Sequence, residues 1–295
     1  NSPFATIKYA CDYVNADWAN RAPATIFVTA GVYNELIPVS IPPQTTIVGD
    51  ELRSVTIQPT TGREANNMFY VSNGGGVRNL TLQGLVGTLG NQNDYGTKRP
   101  VSGSYISLDP GTGPTDTSVH ITTRSPYVQN VTTFGTKCTG IKIDGSLHNA
   151  GYKSIVANDF TQIIDDGIGA WATNNGRAEL VSVFTYYNHI GYLSDSGGKL
   201  RATNGNNSYG TFGSVAEGFD TTETAITGTV TNRGYEATAN ALTDNVNMIL
   251  ALEYKNTGTT YSAAGTTVTF AGQGANAAAS YQETRDDGVY EVRLT

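Results

Sequence analysis

The apolar residues near the N terminus recur at helical spacing. Within residues 2–17, "SPFATIKYACDYVNAD", one face of a helix would carry Phe4, Ile7, Ala10, Cys11 and Val14. Ser2 is a suitable N-cap, and Pro3 suits the first helical turn. A helix with one apolar face has to cover an apolar surface, so residues 1–17 predict a helical cap.

After this helix the pattern changes to short β-branched and aromatic runs that end at Gly, Pro, Asn or Asp. Examples are "ATIFVTAGVYNE", "PVSIPPQTTIVGD", "SVTIQP", "NMFYVSNGG" and "VRNLTLQG". Runs of this kind predict short strands. They follow one another too closely for βαβ units, because each helical crossover needs a dozen or more residues. The pattern therefore predicts an all-β protein.

From residue 128 onward the runs recur with a loose period. Val131, Ile155, Val181 and Leu200 mark successive repeats. A second set lies between them: "TGIKIDG", "TQIIDDG", "IGYLSDSG" and "SVAEGF". A repeat of about 20–26 residues with two or three strands is typical of a solenoid, and the leucine framework of leucine-rich repeats is absent. We therefore expect a parallel β-helix whose coils stack about 4.8 Å apart.

Two segments depart from this period. Residues 85–127 are rich in Gly, Pro and Thr and predict a loop excursion, with a hairpin through "SYISLD" and "SVHITT". Residues 222–295 alternate strands with Thr, Gly and Ala turns but lack the long period. They predict a small, sandwich-like β domain after a β-helix domain at residues 1–221.

Composition excludes several classes of function. The net charge is −7 and the Lys and Arg residues are scattered, so we expect no nucleic-acid partner. No apolar run approaches the roughly 20 residues that cross a bilayer, so we expect no membrane insertion. The chain begins at Asn1 without a Met or a visible signal peptide, and we expect it to be a piece of a longer or processed protein.

The cysteines and the remaining motifs predict no cofactor. Cys11 and Cys138 lie far apart and have no CxxC or Cys/His spacing, so we expect two buried apolar residues without metal or disulfide. No phosphate loop, nucleotide fingerprint or metal triad is present in the sequence. His120 and His148 lack a partner pattern and are predicted to be surface or strand residues.

The N-terminal segment resembles the opening of right-handed β-helix domains of the pectin-lyase-like superfamily. Many such domains begin with a capping helix and then a coil of characteristic sequence. The matching residues here are Thr6, Ile7 and Ala10 in the helix, then Gly31, Tyr33, Glu35, Ile37 and Gly49 in the coil. The resemblance implies a right-handed parallel β-helix, and it specifies fold rather than activity.

The texture of the whole chain resembles virion structural proteins of tailed phages, above all those of contractile-tailed phages of cyanobacteria. The Tyr/Asn/Gly-rich coils at 174–214 and the Thr/Gly/Ala-rich C-terminal segment carry this resemblance. It implies a place in the virion, in a baseplate, tail fibre or tailspike. It also implies a homotrimer that contacts other tail proteins, with a glycan of the host surface as a further candidate partner.

Four residues form a candidate catalytic group. Asp144 lies about one repeat before Asp165, and His189 about one repeat after Asp166, so these residues would stack if the intervals were coil lengths. Carboxyl groups on adjacent coils could serve a glycosidase. The group resembles that of polygalacturonase-like enzymes, but only Asp165 and Asp166 match their motifs. The Lys199 and Arg201 pair is reversed and too close to His189.

A turn is the competing interpretation of the same aspartates. Asp-Gly is a preferred turn pair, and near variants recur as "KIDG", "IIDDG", "YLSDSG" and, in the C-terminal segment, "TRDDGVY". Because the Asp-Gly motif also occurs outside the proposed site, its recurrence indicates turn formation rather than catalysis. We therefore predict no catalytic residues.

Three functions stay open on the sequence alone. The main hypothesis is a non-enzymatic structural or adhesin-like component of a phage tail. The alternatives are a polysaccharide-degrading tailspike-type hydrolase or lyase and a non-catalytic glycan-binding module. For the last, "TYYNHIGY" and "NNSYG" could supply exposed aromatic rings, although tyrosine is also an ordinary strand residue.

Overall fold

The protein is a parallel β-helix capped by a helix at its N-terminal end. The structure is a computed structural model. It describes residues 3–91, 97–112, 116–147 and 154–217, together with four strands nearer the C terminus. Seven coils of parallel strands stack along one axis in the described part of the chain, which confirms the predicted all-β solenoid.

Each coil contributes strands in the same order. The first two coils consist of β1 (Ala24–Val28), β2 (Gly31–Glu35) and β3 (Val39–Ser40), then β4 (Thr45–Gly49), β5 (Val55–Pro59) and β6 (Phe69–Val71). Each of the next four coils consists of a long strand followed by a short one. These are β7 (Gly76–Val86) and β8 (Ser104–Leu108), β9 (Tyr127–Thr136) and β10 (Thr139–Asp144), β11 (Ile155–Asp165) and β12 (Ile168–Thr173), and β13 (Arg177–Tyr186) and β14 (Ile190–Asp195). The seventh coil consists of β15 (Lys199–Thr203), β16 (Asn206–Ser208) and β17 (Phe212–Glu217).

The coils have three faces because each long strand bends in its middle. The bends lie at residues with positive φ: Asn79, Asn130, Asp159 and Ser182. Before the bend the strands extend the ladder of β1 and β4, which we call the first face; after it they extend the ladder of β2 and β5, the second face. The third face is the seven-stranded sheet β3-β6-β8-β10-β12-β14-β17. Asn and Asp suit the bends because they tolerate the left-handed region.

Stacked apolar side chains fill the interior. One column on the first face consists of Ile47, Val77, Val128, Ala157 and Leu180, all of them buried. Burying a side chain the size of Val or Leu stabilises the fold by about 1.5–3 kcal/mol. Because the second to the sixth coils repeat this burial, the solenoid core is continuous along these coils.

The register of the repeat differs from the prediction. Val131 stacks on Phe160 and Val183, whereas Ile155 stacks on Ala178 and Leu200. The residues that are equivalent on successive coils are Val128, Ala157, Leu180 and Ala202. "TQIIDDG" also belongs to β11 rather than to the third-face set. The prediction failed because the bend inside each long strand puts two faces into one run.

The capping helix is shorter than predicted. Helix α1 spans Ile7–Asn15, and Thr6 rather than Ser2 is its N-cap. Ile7, Ala10, Cys11 and Val14 are buried as expected, but Phe4 is exposed. A four-residue helix α2 (Trp18–Arg21) follows.

A buried carboxylate joins this helix to the first coil. Glu35, at the end of β2, accepts hydrogen bonds from the backbone N–H groups of Ile7 at 2.7 Å and Lys8 at 3.0 Å. A carboxylate at a helix N-terminus satisfies unpaired N–H groups and interacts favourably with the helix dipole. Glu35 therefore fixes where the cap sits on the solenoid.

Residues 85–127 contain a strand of the solenoid. Ser104–Leu108 (β8) pairs in parallel with β6 and β10 on the third face, so the predicted hairpin with "SVHITT" does not form. Around β8, residues 88–90 and 99–101 pair with each other through an antiparallel bridge between Leu89 and Pro100. This short pairing holds residues 99–101 in place beside the third face.

The C-terminal strands form a unit of their own. The chain divides into one compact unit of residues 1–93 and 97–217 and another of residues 94–96 and 218–295. The described strands of the second unit are β18 (Met248–Glu253), β19 (Thr267–Thr269), β20 (Ala278–Thr284) and β21 (Val289–Leu294), in one antiparallel sheet. The sandwich-like domain at 222–295 and its boundary remain predictions.

Both cysteines are buried, as predicted, and both are free thiols in the structure. Burial raises the pKa of each thiol, Cys11 and Cys138, to about 12, so neither is a reactive thiolate at neutral pH. His120 is half-buried, and His148 lies outside the described residues. No helix in the described part of the chain is long and apolar enough to span a membrane.

Candidate functional site

A groove of about 430 Å³ runs along the third face. Its floor is an outward-facing column in which Tyr70, Ser107, Lys142 and Trp171 stack on successive coils. Alternate residues of the same strands, such as Ile106 and Ile141, point into the core. The remaining lining residues are Pro38, Ala65, Asn66, Asn67, Pro100, Val101, Ser102, Gly103, Ser104, Pro110, Thr139 and Asp144.

Polar side chains contribute about half of this groove. The amide of Asn67 donates to the hydroxyl of Tyr70 at 3.1 Å and accepts from the backbone N–H of Ser104 at 2.9 Å. The ammonium of Lys142 lies 4.3 Å from the centroid of the Trp171 ring, a cation–π contact. The groove thus presents an amide, hydroxyls and one cation along a path several coils long.

Asp144 is the acidic residue among the described lining residues. Its carboxylate accepts hydrogen bonds from the backbone N–H of Ser146 at 3.1 Å, the hydroxyl of Ser146 at 2.6 Å and the amide of Asn174 at 2.9 Å. Burial alone would raise the pKa of Asp144, but these hydrogen bonds and the Lys142 charge lower it overall. Asp144 is therefore an ionised turn cap, which is a poor general acid.

Asp109 has the opposite character at the end of β8. Burial raises the pKa of its carboxyl group, although the backbone N–H of Gly111 donates to it at 2.8 Å. Continuing the register of β8 and β10 by two residues places Asp109 one coil from Asp144. Two carboxyl groups with pKa values shifted apart are a common feature of acid–base sites.

The other half of the third face is covered by residues 97–99, which we call the strap. The backbone N–H of Lys98 donates to Nε2 of His189 at 3.0 Å. Nε of Arg99 donates to Oδ2 of Asp195 at 2.9 Å, and its Nη2 forms an ion pair with Glu217. The hydroxyl of Thr97 donates to the other oxygen of Glu217 at 2.8 Å.

Arg99 joins two carboxylates of adjacent coils. Asp195 and Glu217 stack in register at the ends of β14 and β17. Burial works against the charge of the guanidinium, but the hydrogen bonds and charges of Glu217 and Asp195 raise the pKa of Arg99. The three side chains form a largely buried ion-pair network in which one guanidinium is shared by two carboxylates, leaving a net charge of −1.

An apolar cluster lies on the same outward side of the sheet. Ile168, Trp171, Ile190 and Leu193 are buried there, with Phe212 and Val215 packed against them. The indole N–H of Trp171 donates to Oδ2 of Asp195 at 3.2 Å. Because residues on either side of Ile190 and Leu193 bind the strap, this part of the face is interior rather than groove.

The four sequence-predicted residues do not form one ladder. Asp144 stacks on Thr173 at the third face, whereas Asp165 stacks on Thr136 at the end of the second face. Asp165 lines a separate cavity of about 440 Å³. The prediction failed because it treated β11 and β10 as equivalent strands.

Only Asp166 and His189 approach each other. Nδ1 of His189 lies 3.9 Å from a carboxylate oxygen of Asp166. Nε2 of His189 accepts a hydrogen bond from Lys98, so an imidazole in this arrangement carries its proton on Nδ1, facing Asp166. Asp166 itself has φ +50° and forms part of the turn that leads to β12.

Sequence reasoning missed Arg99, Asp195 and Glu217. The two carboxylates are separated by one true coil length, the same interval that separates Gly191 and Gly213 in the same strands. That glycine spacing was a usable signal for the register. No group of three or more His, Cys, Asp or Glu able to hold a metal occurs among the described residues.

Comparison with known proteins gives little sequence-level support. No protein-family model and no curated protein matches the chain. Among solved structures, a pectin methylesterase from Aspergillus niger is 15% identical, with 75% of this chain and 85% of that chain covered and a TM-score of 0.26. A 1,3-α-1,4-β-D-galactose-4-sulfate-3,6-anhydro-D-galactose-2-sulfate 4 galactohydrolase is 12% identical, with 67% of this chain and 58% of that chain covered and a TM-score of 0.26. These values are too low to carry an argument, so the fold rests on the strand register.

Proposed function

We propose that this protein is a non-enzymatic, adhesin-like β-helix that binds a glycan in the third-face groove. The observation that carries the proposal is the lining of the groove. It offers amide, hydroxyl and ammonium groups that suit sugar hydroxyls, while its one described carboxylate, Asp144, is held by Ser146 and Asn174. A groove with many hydrogen-bonding groups and no acid–base pair in its described lining suits binding without cleavage.

A phage tail is the setting we propose for this adhesin. The resemblance of the N-terminal helix and coil to β-helix domains, and of the whole chain to tailed-phage virion proteins, supports it. Exposed apolar side chains on the first coil support a homotrimer, since Phe27 is 76% and Val32 63% exposed. Native mass spectrometry should show three copies; a monomer at micromolar concentration would contradict the trimer.

Polysaccharide cleavage is the second candidate, and one observation favours it. Asp109, whose pKa is raised, and Asp144, whose pKa is lowered, end adjacent strands of the third face. A glycosidase needs one protonated and one ionised carboxyl group. Asp109 is buried, however, and does not line the groove, whereas its neighbour Pro110 does.

The test combines a binding assay with a cleavage assay. The protein is passed over a panel of immobilised neutral and acidic polysaccharides, and the same polysaccharides are incubated with it and assayed for new reducing ends. Lys142→Ala should weaken binding about tenfold or more, a loss of about 1.4 kcal/mol. Lys199→Ala makes the same charge change at an exposed position on β15, outside the groove, and should leave binding unchanged.

The outcomes separate the candidates. Retention that depends on Lys142, without new reducing ends, supports the adhesin. New reducing ends that disappear in both Asp109→Asn and Asp144→Asn would establish the enzyme instead. Retention of no polysaccharide, or equal loss in Lys142→Ala and Lys199→Ala, would overturn the proposed function.

A further inference from the structure

Two exposed tyrosines occupy backbone positions that disfavour them. Tyr187 has φ +62° and Tyr209 has φ +58°, at the turns between the second and third faces of adjacent coils. The preceding coils place Asp166 and Lys137 at this corner, also with positive φ. Elsewhere among the described residues, every non-glycine residue with positive φ is Asn, Asp, Ser, Gln or Lys. A bulky aromatic residue is unfavourable there, because the left-handed region crowds its Cβ.

Burial does not compensate for this backbone strain. Tyr187 is 52% and Tyr209 79% exposed. Other tyrosines of these coils behave differently: Tyr192 is buried, and its hydroxyl donates to the carbonyl of Val183 at 2.6 Å. Strained residues that add no packing are found where function requires them.

The rings of Tyr187 and Tyr209 stack on each other. Their centroids are 5.6 Å apart and their planes differ by 20°, so Tyr187 and Tyr209 are stacked. This arrangement follows from the register, since Tyr186 pairs with Ser208 and the next residues lie one above the other. Stacking holds the rings in place while the outward side of Tyr209 stays open to solvent.

A cavity continues this surface toward earlier coils. Its volume is about 440 Å³, and its lining includes Val86, Phe134, Asp165 and Tyr187. Gly84 and Gly135 also line it and leave the backbone accessible. Aromatic rings beside an exposed carboxylate provide apolar faces for sugar C–H groups and an acceptor for sugar hydroxyls.

We infer that Tyr187, Tyr209 and Phe134 form a platform that binds uncharged hexose units of a glycan. The carboxylates of Asp165 and Asp166 outnumber the one ammonium at this corner, that of Lys137, so the net negative charge disfavours anionic sugars such as uronates. The ligand class rests on the proposed glycan-binding function, but the platform is a second site, formed by other residues than the third-face groove. A sugar bound at the platform would stack on the aromatic rings, whereas a sugar bound in the third-face groove would contact polar side chains.

Tyr187→Asn and Tyr209→Asn test the inference without damaging the fold. Asn is well suited to positive φ, so each variant should melt at the temperature of the wild type or slightly higher. Binding of maltohexaose, cellohexaose or laminarihexaose, followed by calorimetry and by NMR of ¹³C-labelled tyrosine rings, should show one neutral sugar that shifts the resonances of Tyr187 and Tyr209. Each Asn variant should weaken that binding about tenfold. Tyr9→Ala removes an exposed ring from the capping helix and should have no effect.

This experiment distinguishes a loss of sugar binding at the groove from a loss at the platform. Lys142→Ala should leave the tyrosine shifts intact, so a loss at the groove alone would not affect the platform. Oligogalacturonate should shift these resonances less than the neutral sugars do. The inference is wrong if none of the neutral sugars shifts the two tyrosine resonances. It is also wrong if the Asn variants melt several degrees lower with sugar binding unchanged, because the rings would then be structural.

Discussion

The two halves of the third face share one sheet and one register but differ in what covers them. In the open half, Ser107 and Lys142 point outward into the groove. Two coils further on, Leu193 occupies the same column and is fully buried near the strap. The strand register is the same in the open and the covered half, so it does not determine exposure to solvent. The strap determines which half is exposed.

The carboxylates at the strand ends show the same contrast. Asp144, in the open half, caps a turn and stays partly exposed. Asp195, in the covered half, depends on Arg99 and is nearly buried. Position in a repeat therefore does not determine the role of a carboxylate; its partners do.

Removing the Arg99 side chain should lower the free energy of unfolding more than any other change in the covered half. Arg99→Ala leaves Asp195 and Glu217 without their cation, and breaking a buried ion pair costs about 3–5 kcal/mol. Because the guanidinium side chain is 26% exposed, we expect the low end of that range. Urea unfolding should show the loss. Arg99→Lys keeps the charge without the planar fork and should lose less; equal stability of all three proteins would show that the strap is not fixed by this network.

Truncation within the shared column should sharpen the comparison. Leu193→Ala should cost about 2–4 kcal/mol, because it opens a cavity under the strap. Lys142→Ala, in the open half of the column, should cost under about 1 kcal/mol, the value of an accessible cation–π contact. Thermal melts of the two variants measure both effects. Similar losses at the two positions would mean that the halves are equally buried.

The smallest effect concerns acid stability in the open half. The folded pKa of Asp144 is lowered, so its stabilising contribution is present above the unfolded value of about 3.9 and is lost as pH falls through the folded pKa. Asp144→Asn should therefore be less stable by about 1 kcal/mol at pH 7, with the difference shrinking below about pH 4. Unfolding curves from pH 7 to pH 3 test this, and a difference that grows on acidification would refute it.

Much of the fold was readable from the sequence, because local pattern determines it. Short runs ended by Gly and Asn predicted the coils, and helical spacing predicted the cap. The register could not be predicted from the alternation of polar and apolar residues. The bends at Asn130, Asp159 and Ser182 place two faces of the solenoid within one continuous strand, and the alternation does not mark where the first face ends. Glycines marked the third face more clearly. Gly140, Gly169 and Gly191 are the second residues of successive third-face strands, and a Cβ on Gly140 would lie 1.7 Å from the Gln162 amide oxygen.

The site was much harder to predict. The contacts of Arg99 with Asp195 and Glu217 join residues 96 and 118 positions apart, and no local motif encodes such pairs. Asp165 and Asp166 drew attention because they are adjacent in sequence, yet they point to different surroundings. Adjacent carboxylates indicate a turn as readily as a catalytic pair, and only the register tells which residues meet.

Hydrogen exchange with and without the most strongly retained polysaccharide tests the central claim most directly. We expect slow exchange at residues 190–195 in both states, because the strap covers them. Added protection on binding should be confined to the segments that line the groove, chiefly residues 65–70, 100–107 and 139–144. Protection that appears instead at residues 97–99 and 190–195, or rapid exchange there in the free protein, would contradict the division of the third face into an open binding half and a covered structural half.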